Sequence, residues 1–366
     1  MQRNNSQLST RQLANRSQAQ DSTQIAMQIK REMSKILFTI RGMAILFVVI
    51  GHVIGESTSG IRQLYPDSAG LAQIYDFIYT FHMPIFFIAS GLSFALFSYG
   101  RSSSLGGFLV SRFKRLLVPL LCWAPAYFIL RCVTGQAEFT VSALLKAIFI
   151  PDFIFWFFHA LFLISVISYV ILRYGSTAIY FIASILLLLI SFLLDGMISA
   201  IFYFNFFHAV GFLLGWELQQ ADHLPFSSLK QPALMAVIGV TGVTMLAVFW
   251  GLEEKFYSVA KLLNGLIGFG LLYWVALFGN LNRLSVQHSK IMNWFGHLGR
   301  ISMSIYLLHV LFGSVARMVL VKLGVMAPIL QLTLGVVIAL LGPVALDTLL
   351  RPRLKLFLYS IGEAKA

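Results

Sequence analysis

The chain has 366 residues, 58% hydrophobic and only 11% charged, with a mean hydropathy of +0.82. Soluble domains carry about 25% charged residues, so the composition excludes an ordinary soluble fold. With its runs of about 20 apolar residues, it points instead to an all-α polytopic membrane protein. A net charge of +13 would suit a nucleic-acid binder, but the basic residues cluster in alternate loops, as the positive-inside rule requires, and no nucleic-acid partner is expected.

Residues 1–33 are polar, rich in Gln, Ser and Asn, and include Arg3, Arg11, Arg16, Lys30 and Arg31. They are expected to form a disordered cytoplasmic tail, with no cleavage site before the first helix. Ten spans are then expected: Ile36–Gly55, Ile74–Phe97, Leu116–Val133, Phe153–Leu172, Ala178–Leu194, Ile201–Leu218, Ala233–Trp250, Leu262–Phe278, Ile301–Val321 and Ile329–Leu350. They would build one membrane domain over residues 34–352, ahead of a short cytoplasmic tail at 353–366. With the N-terminus inside, the inner loops hold Arg101, Arg112, Lys114, Arg115, Arg173, Lys230, Arg283, Lys290 and Arg300. The outer loops hold Arg62, Lys146, Lys255 and Lys261, mixed with Glu56, Asp67, Glu138, Asp152, Glu253 and Glu254. Both termini are therefore expected in the cytoplasm. Cys122 and Cys132 share one helix about 15 Å apart, too far for a disulfide within the chain.

The first span, ILFTIRGMAILFVVIGHVIG, carries Arg41 and His52 in an otherwise apolar run. Ionisable groups at membrane depth are functional by default. Their 11-residue separation places them on nearly the same helix face, about 16 Å apart along the axis. Glu56 is one turn beyond His52 and could orient it, or could sit in the outer headgroups. In the second span Pro84 frees the carbonyl of Thr80, with His82 beside the break and Ser90 deeper. The following SLGGFLVSRFKRLLVP places Arg112, Lys114 and Arg115 ahead of the third span. It reads either as a basic surface attracted by anionic lipid or as a phosphate site.

The fourth span brings Trp156 and His159 to one face, and the sixth holds Asn205 and His208. In the ninth, Ser302, Tyr306, His309, Gly313 and Arg317 step by four, three, four and four, a single polar stripe facing the bundle interior. Histidines thus recur in five spans and are expected to share a polar cavity. No paired His or Cys spacing supports a metal site, and none is expected.

Histidine is the usual general base near neutral pH. The chain has no carboxylate pair for glycoside hydrolysis, no glycine-rich nucleotide loop and no GxSxG elbow. A membrane-embedded His52 with an arginine one long reach away suits a donor with a phosphate-bearing head and a long arm, the shape of an acyl-CoA. Arg41 and His52 match the R-x10-H pattern of the integral-membrane acyltransferase family 3. FHMPIFFIASGL (81–92), SRFKRLLVP (111–119), WFFHALF (156–162) and SIYLLH (304–309) resemble its other recurrent blocks, in order, between about residues 36 and 350. The nearest likeness is to the branch of fucose 4-O-acetylase-like and succinoglycan O-succinyltransferase-like proteins.

The resemblance implies an enzyme of a bacterial plasma (inner) membrane. It would move an acyl group, commonly acetyl from cytoplasmic acetyl-CoA, to a hydroxyl of a surface glycan or its lipid-linked precursor. It implies His52 as the catalytic histidine and Arg41 as a donor-binding residue, to which Arg112 and Arg115 are added as candidate phosphate contacts. His82, Ser90, Trp156, His159, Tyr306 and His309 are placed in the substrate cavity. The expected partners are acyl-CoA, a sugar acceptor and the lipid bilayer, with no permanently bound cofactor. A secondary transporter is the competing reading; it would need paired broken helices and a midplane carboxylate. A glycan polymerase or ligase would need an outer loop larger than the chain offers.

Overall fold

A computed structural model describes residues 2–99, 104–150, 153–220, 257–281 and 286–363. Among the described residues there is no strand, and eight helices are long and apolar enough to cross a membrane. They are α1 (Gln2–Ile54), α2 (Ala69–Ser93, ending in a π-helical turn), α3 with α4 (Leu105–Arg112 and Val118–Val133, joined by a π-helical turn), α6 (Trp156–Tyr174), α8 (Gly196–Gln220), α9 (Tyr257–Leu281), α11 (Ser302–Lys322) and α12 (Pro328–Leu350). They correspond to eight of the expected spans. The fifth expected span is the shorter apolar helix α7 (Thr177–Ser191). The seventh, Ala233–Trp250, lies outside the described residues, as do the loop charges Arg101, Asp152, Lys230, Glu253, Glu254, Lys255 and Arg283. Short helices α5 (Val141–Phe149), α10 (Val286–Arg300) and α13 (Lys355–Ser360) complete the set.

The polar segment expected as a separate tail continues α1 as helical backbone. No proline or glycine interrupts the chain before Gly42, so nothing in the covalent geometry ends the helix earlier. Ile29 and Met33 on this helix are buried. At the other end, α13 is bound rather than trailing: Phe357 and Ile361 are buried, and Trp123 Nε1 donates to the Ser360 carbonyl at 3.0 Å.

Lipid offers helices no hydrophobic driving force to associate, so close backbone approach through small residues does that work. Two pairs of glycines set the frame. A Cβ on Gly42 would lie 1.9 Å from the Phe295 carbonyl oxygen, and one on Gly299 would lie 1.7 Å from that of Phe38. Thus α1 and α10 cross backbone to backbone. Gly91 against the His208 carbonyl (1.9 Å) and Gly211 against that of Ile88 (2.0 Å) lock α2 to α8 in the same way. The Pro84 ring of α2 meets Gly265 of α9, where an added Cβ would come within 2.6 Å. A buried carboxylate closes the far side. Asp347 accepts from Ser304 at 2.5 Å and from two guanidinium nitrogens of Arg351 at 2.8 and 2.9 Å, and Arg351 also pairs with Glu363.

Gly42→Ala should therefore overpack the α1–α10 crossing and destabilise the protein by about 1–3 kcal/mol. Gly270→Ala, whose added Cβ would meet nothing within 4 Å, should leave the melting temperature in detergent nearly unchanged. Thermal unfolding of the two variants side by side checks this.

Candidate active site

Helix α1 carries Arg41 and His52 on one face, and α2 runs antiparallel beside it. Arg41 meets Ser93 near the end of α2, and His52 meets Tyr79 nearer its start. Two centres result, one at each end of that shared face.

At the His52 end, rings from three helices gather. His52 lies 5.0 Å from the His309 ring of α11 and 6.3 Å from Tyr79, between centroids. Tyr79 is 4.6 Å from His82 and stacks on Tyr75 at 3.9 Å. Two of the three imidazoles are pinned. His82 Nδ1 lies 2.8 Å from the Ile78 carbonyl, and His309 Nδ1 lies 3.0 and 2.7 Å from those of Ile305 and Tyr306. A carbonyl only accepts, so in each ring Nδ1 carries the hydrogen. That leaves His309 Nε2 as a buried acceptor with no hydrogen-bond partner among the described residues. His52 is half-buried, and its contacts among the described residues are with rings. Glu56 does not bond the imidazole; its carboxylate accepts from the Tyr75 hydroxyl at 3.2 Å, so it reaches His52 only through the tyrosine stack. Arg62 lies over the Tyr75 ring at 5.6 Å, and Arg317 donates to the Gly60 carbonyl.

At the other end, Arg41 Nη2 donates to Ser93 Oγ at 2.8 Å. Arg112 lies over the faces of Phe94 (5.3 Å) and Phe108 (5.1 Å), and Arg115 is exposed. The three guanidinium groups act on one another electrostatically. None has a carboxylate partner among the described residues, whose ion pairs involve Lys35 and Arg351. The result is a concentration of unneutralised positive charge. Between the two centres Ile45, Val48 and Val49 fill the same face of α1, each buried to 1% exposure or less.

The remaining expected residues are dispersed. Tyr306 donates to the Ile154 carbonyl at 2.6 Å and stands 6.0 Å from His309, so it borders the ring cluster. His159 has a carbonyl 3.2 Å from each ring nitrogen, those of Phe155 and Ile148, and the nitrogen that carries the hydrogen donates to one of them. Trp156 packs among Phe87, Phe157 and Phe204. The Ser90 carbonyl accepts at the end of α2. His208 belongs to a separate buried group, with Ser168 and Tyr180 at 3.2 and 3.0 Å from its Nδ1. The five histidines therefore do not share one cavity: His52, His82 and His309 meet, and the other two serve elsewhere. Tyr75, Tyr79 and Ser93 were not anticipated, yet the sequence held their signal. Tyr75, Tyr79 and His82 step by four and three, and Ser93 follows His82 by 11, the spacing of Arg41 and His52.

A bundle of apolar helices that converges ionisable groups from three of them, with a cationic centre at one end, is a membrane protein built around an internal reaction or transport path. Compared with known families, the chain matches the acyltransferase domain of the acyltransferase 3 family over residues 37–348. It belongs to that family and is a membrane acyltransferase. No curated protein and no solved structure matches it significantly.

The pinned and unpinned rings should differ in stability cost. His82→Ala and His309→Ala each remove a buried, hydrogen-bonded ring and should lower stability by about 1–3 kcal/mol. His52→Ala should cost less than either. Melting temperatures of the three purified variants would show the order.

Proposed function

We propose that this enzyme transfers an acyl group, acetyl by preference, from cytoplasmic acyl-CoA to a hydroxyl of a surface glycan or its lipid-linked precursor, with His52 as general base. This reading assigns it to the branch of fucose 4-O-acetylase-like and succinoglycan O-succinyltransferase-like proteins. In this reading the Arg41 end faces the cytoplasm of a bacterial inner membrane, both termini lie inside, and the acceptor enters beside Glu56, Arg62 and Arg317.

The observation that carries the proposal is the pairing on one face of α1 of an imidazole and an arginine that, among the described residues, have no hydrogen-bond partner and no carboxylate partner respectively. A general base must present an unprotonated nitrogen to substrate, and of the three imidazoles in the cluster His52 is the one that no backbone carbonyl holds among the described residues. His52 takes the proton of the acceptor hydroxyl as its oxygen attacks the thioester carbon. A C–O bond forms, the tetrahedral intermediate collapses, and the C–S bond breaks. The departing thiolate takes the proton back from the imidazolium, which regenerates neutral His52 and releases the CoA thiol. Arg41, with Arg112 and Arg115 nearby, receives donor phosphate, for which guanidinium groups offer paired parallel donors. The arm joining the two ends would displace the side chains of Ile45, Val48 and Val49, replacing apolar packing with its own methylene-rich chain. Glu56 acts through Tyr75 as a positioning residue.

His52→Ala should lower acyl transfer by about 10²–10⁴-fold in protein that still accumulates and melts normally, followed as thiol release from acetyl-CoA. Turnover near that of the wild type would remove His52 from the mechanism. Arg41→Lys should raise KM for the donor, because a point charge replaces a forked contact; an unchanged KM would assign Arg41 to the lipid headgroups. Mass analysis of surface glycans from deletion and complemented cells identifies the acceptor.

A further inference from the structure

At the Arg41 end, below the Arg41–Ser93 contact, the bundle opens into a cleft of about 540 Å³, within the range of about 300–1,000 Å³ typical of small-molecule sites. Lys30, Arg31, Lys35 and Arg300 line it together with the rings of Phe38 and Phe97. No acidic side chain lines it. Glu32, beside the cleft residues in sequence, is engaged by Lys35 at 2.7 Å, and Lys30, Arg31 and Arg300 have no ion-pair partner among the described residues.

The cleft is an extension of the candidate active site. Lys30, Arg41 and His52 follow one another at equal steps of 11 residues along the single helix α1. Eleven residues turn a helix through about three full turns, so all three lie on one face, Lys30 about 16 Å below Arg41. Phe97, four residues beyond Ser93, continues the matching line on the α2 side. The groove thus presents, in order, an imidazole, an apolar stretch, a guanidinium cluster, and a cationic pocket with two aromatic faces. Coenzyme A presents in the same order a thioester, a pantetheine arm, a diphosphate, and an adenine on a phosphorylated ribose.

We propose that this cleft is the nucleotide subsite of the donor: Lys30, Arg31 and Arg300 bind the ribose 3′-phosphate, and Phe38 and Phe97 flank the adenine. The proposal rests on acyl-CoA being the donor. Anionic lipid headgroups offer similar phosphate chemistry to basic residues at a membrane surface, but a lipid has no base to place between two rings.

The test uses the full chain in nanodiscs, with thiol release measured from acetyl-CoA and from 3′-dephospho-acetyl-CoA. The wild type should prefer acetyl-CoA in kcat/KM by about tenfold or more, the scale of a charge-assisted phosphate contact. In Lys30→Gln/Arg300→Gln that preference should fall to near one, while Arg173→Gln, at an exposed cation outside the cleft, should keep it. Both altered side chains reach solvent, so the variant should fold, and its melting temperature confirms that. A preference retained in the double variant overturns the subsite, and so does a variant effect seen only when anionic lipid is present, which would mark a headgroup site. A wild type that neither binds acetyl-CoA nor releases thiol from it overturns the donor reading itself. A wild type that uses both donors equally overturns the subsite alone.

Discussion

An ionisable side chain at membrane depth must be surrounded by protein or by water, because hydrocarbon solvates it too poorly. Two such side chains on one face of α1 therefore dictate what stands against that face. Helix α2 brings Ser93 to Arg41 and the Tyr75–Tyr79–His82 line to His52, and α11 brings His309. The glycine crossings at Gly42 and Gly299 tie α1 to α10, those at Gly91 and Gly211 tie α2 to α8, and Gly51, where an added Cβ would lie 3.0 Å from the Tyr79 ring, lets α2 approach α1 beside His52. They replace the hydrophobic attraction that helices lack in lipid. The site and the packing are thus one arrangement, since moving α2 or α11 away from α1 would strip Arg41 and His52 of the groups that meet them.

Charge is distributed along the same logic. The one carboxylate buried deeply among the described helices, Asp347, is fully engaged by Ser304 and Arg351. It serves as a brace between α11, α12 and the C-terminal segment, and it is not free to bind a coupling ion as a transporter would require. The cations Arg41, Arg112 and Arg115 gather near the same end of the bundle, where Gly362 packs on the Arg115 backbone, yet they have no carboxylate partner among the described residues. That asymmetry, paired acid and unpaired base, suits a protein that receives an anion from one side.

Much of this was legible in the sequence. Long apolar runs determine helices, and an 11-residue spacing determines a shared face whatever the neighbours do. Arg41 and His52 could therefore be singled out before any packing was known. The contacts between helices were less legible, because they depend on which helix lies beside which. Glu56 was expected at the imidazole on sequence proximity, but the chain leaves the helix at Gly55, whose φ is +72°, and the carboxylate turns to Tyr75. Five histidines in five spans suggested one cavity, but a histidine can also satisfy carbonyls, as His159 does, or join a separate polar group, as His208 does. Residues 1–33 read as a tail by composition, while the chain has no helix breaker before Gly42 and Ile29 and Met33 are buried.

The central claim is that one face of α1, marked by Lys30, Arg41 and His52, lines the path of the donor. Single cysteines introduced in turn through residues 30–52, in a background with Cys122 and Cys132 replaced, would test it by maleimide labelling with and without coenzyme A. The account predicts protection by coenzyme A that recurs with the helical period of about 3.6 residues and falls on the face of Lys30, Ser34, Arg41 and His52. Protection spread evenly around the helix, or confined to the opposite face in protein that still transfers acyl groups, would contradict it.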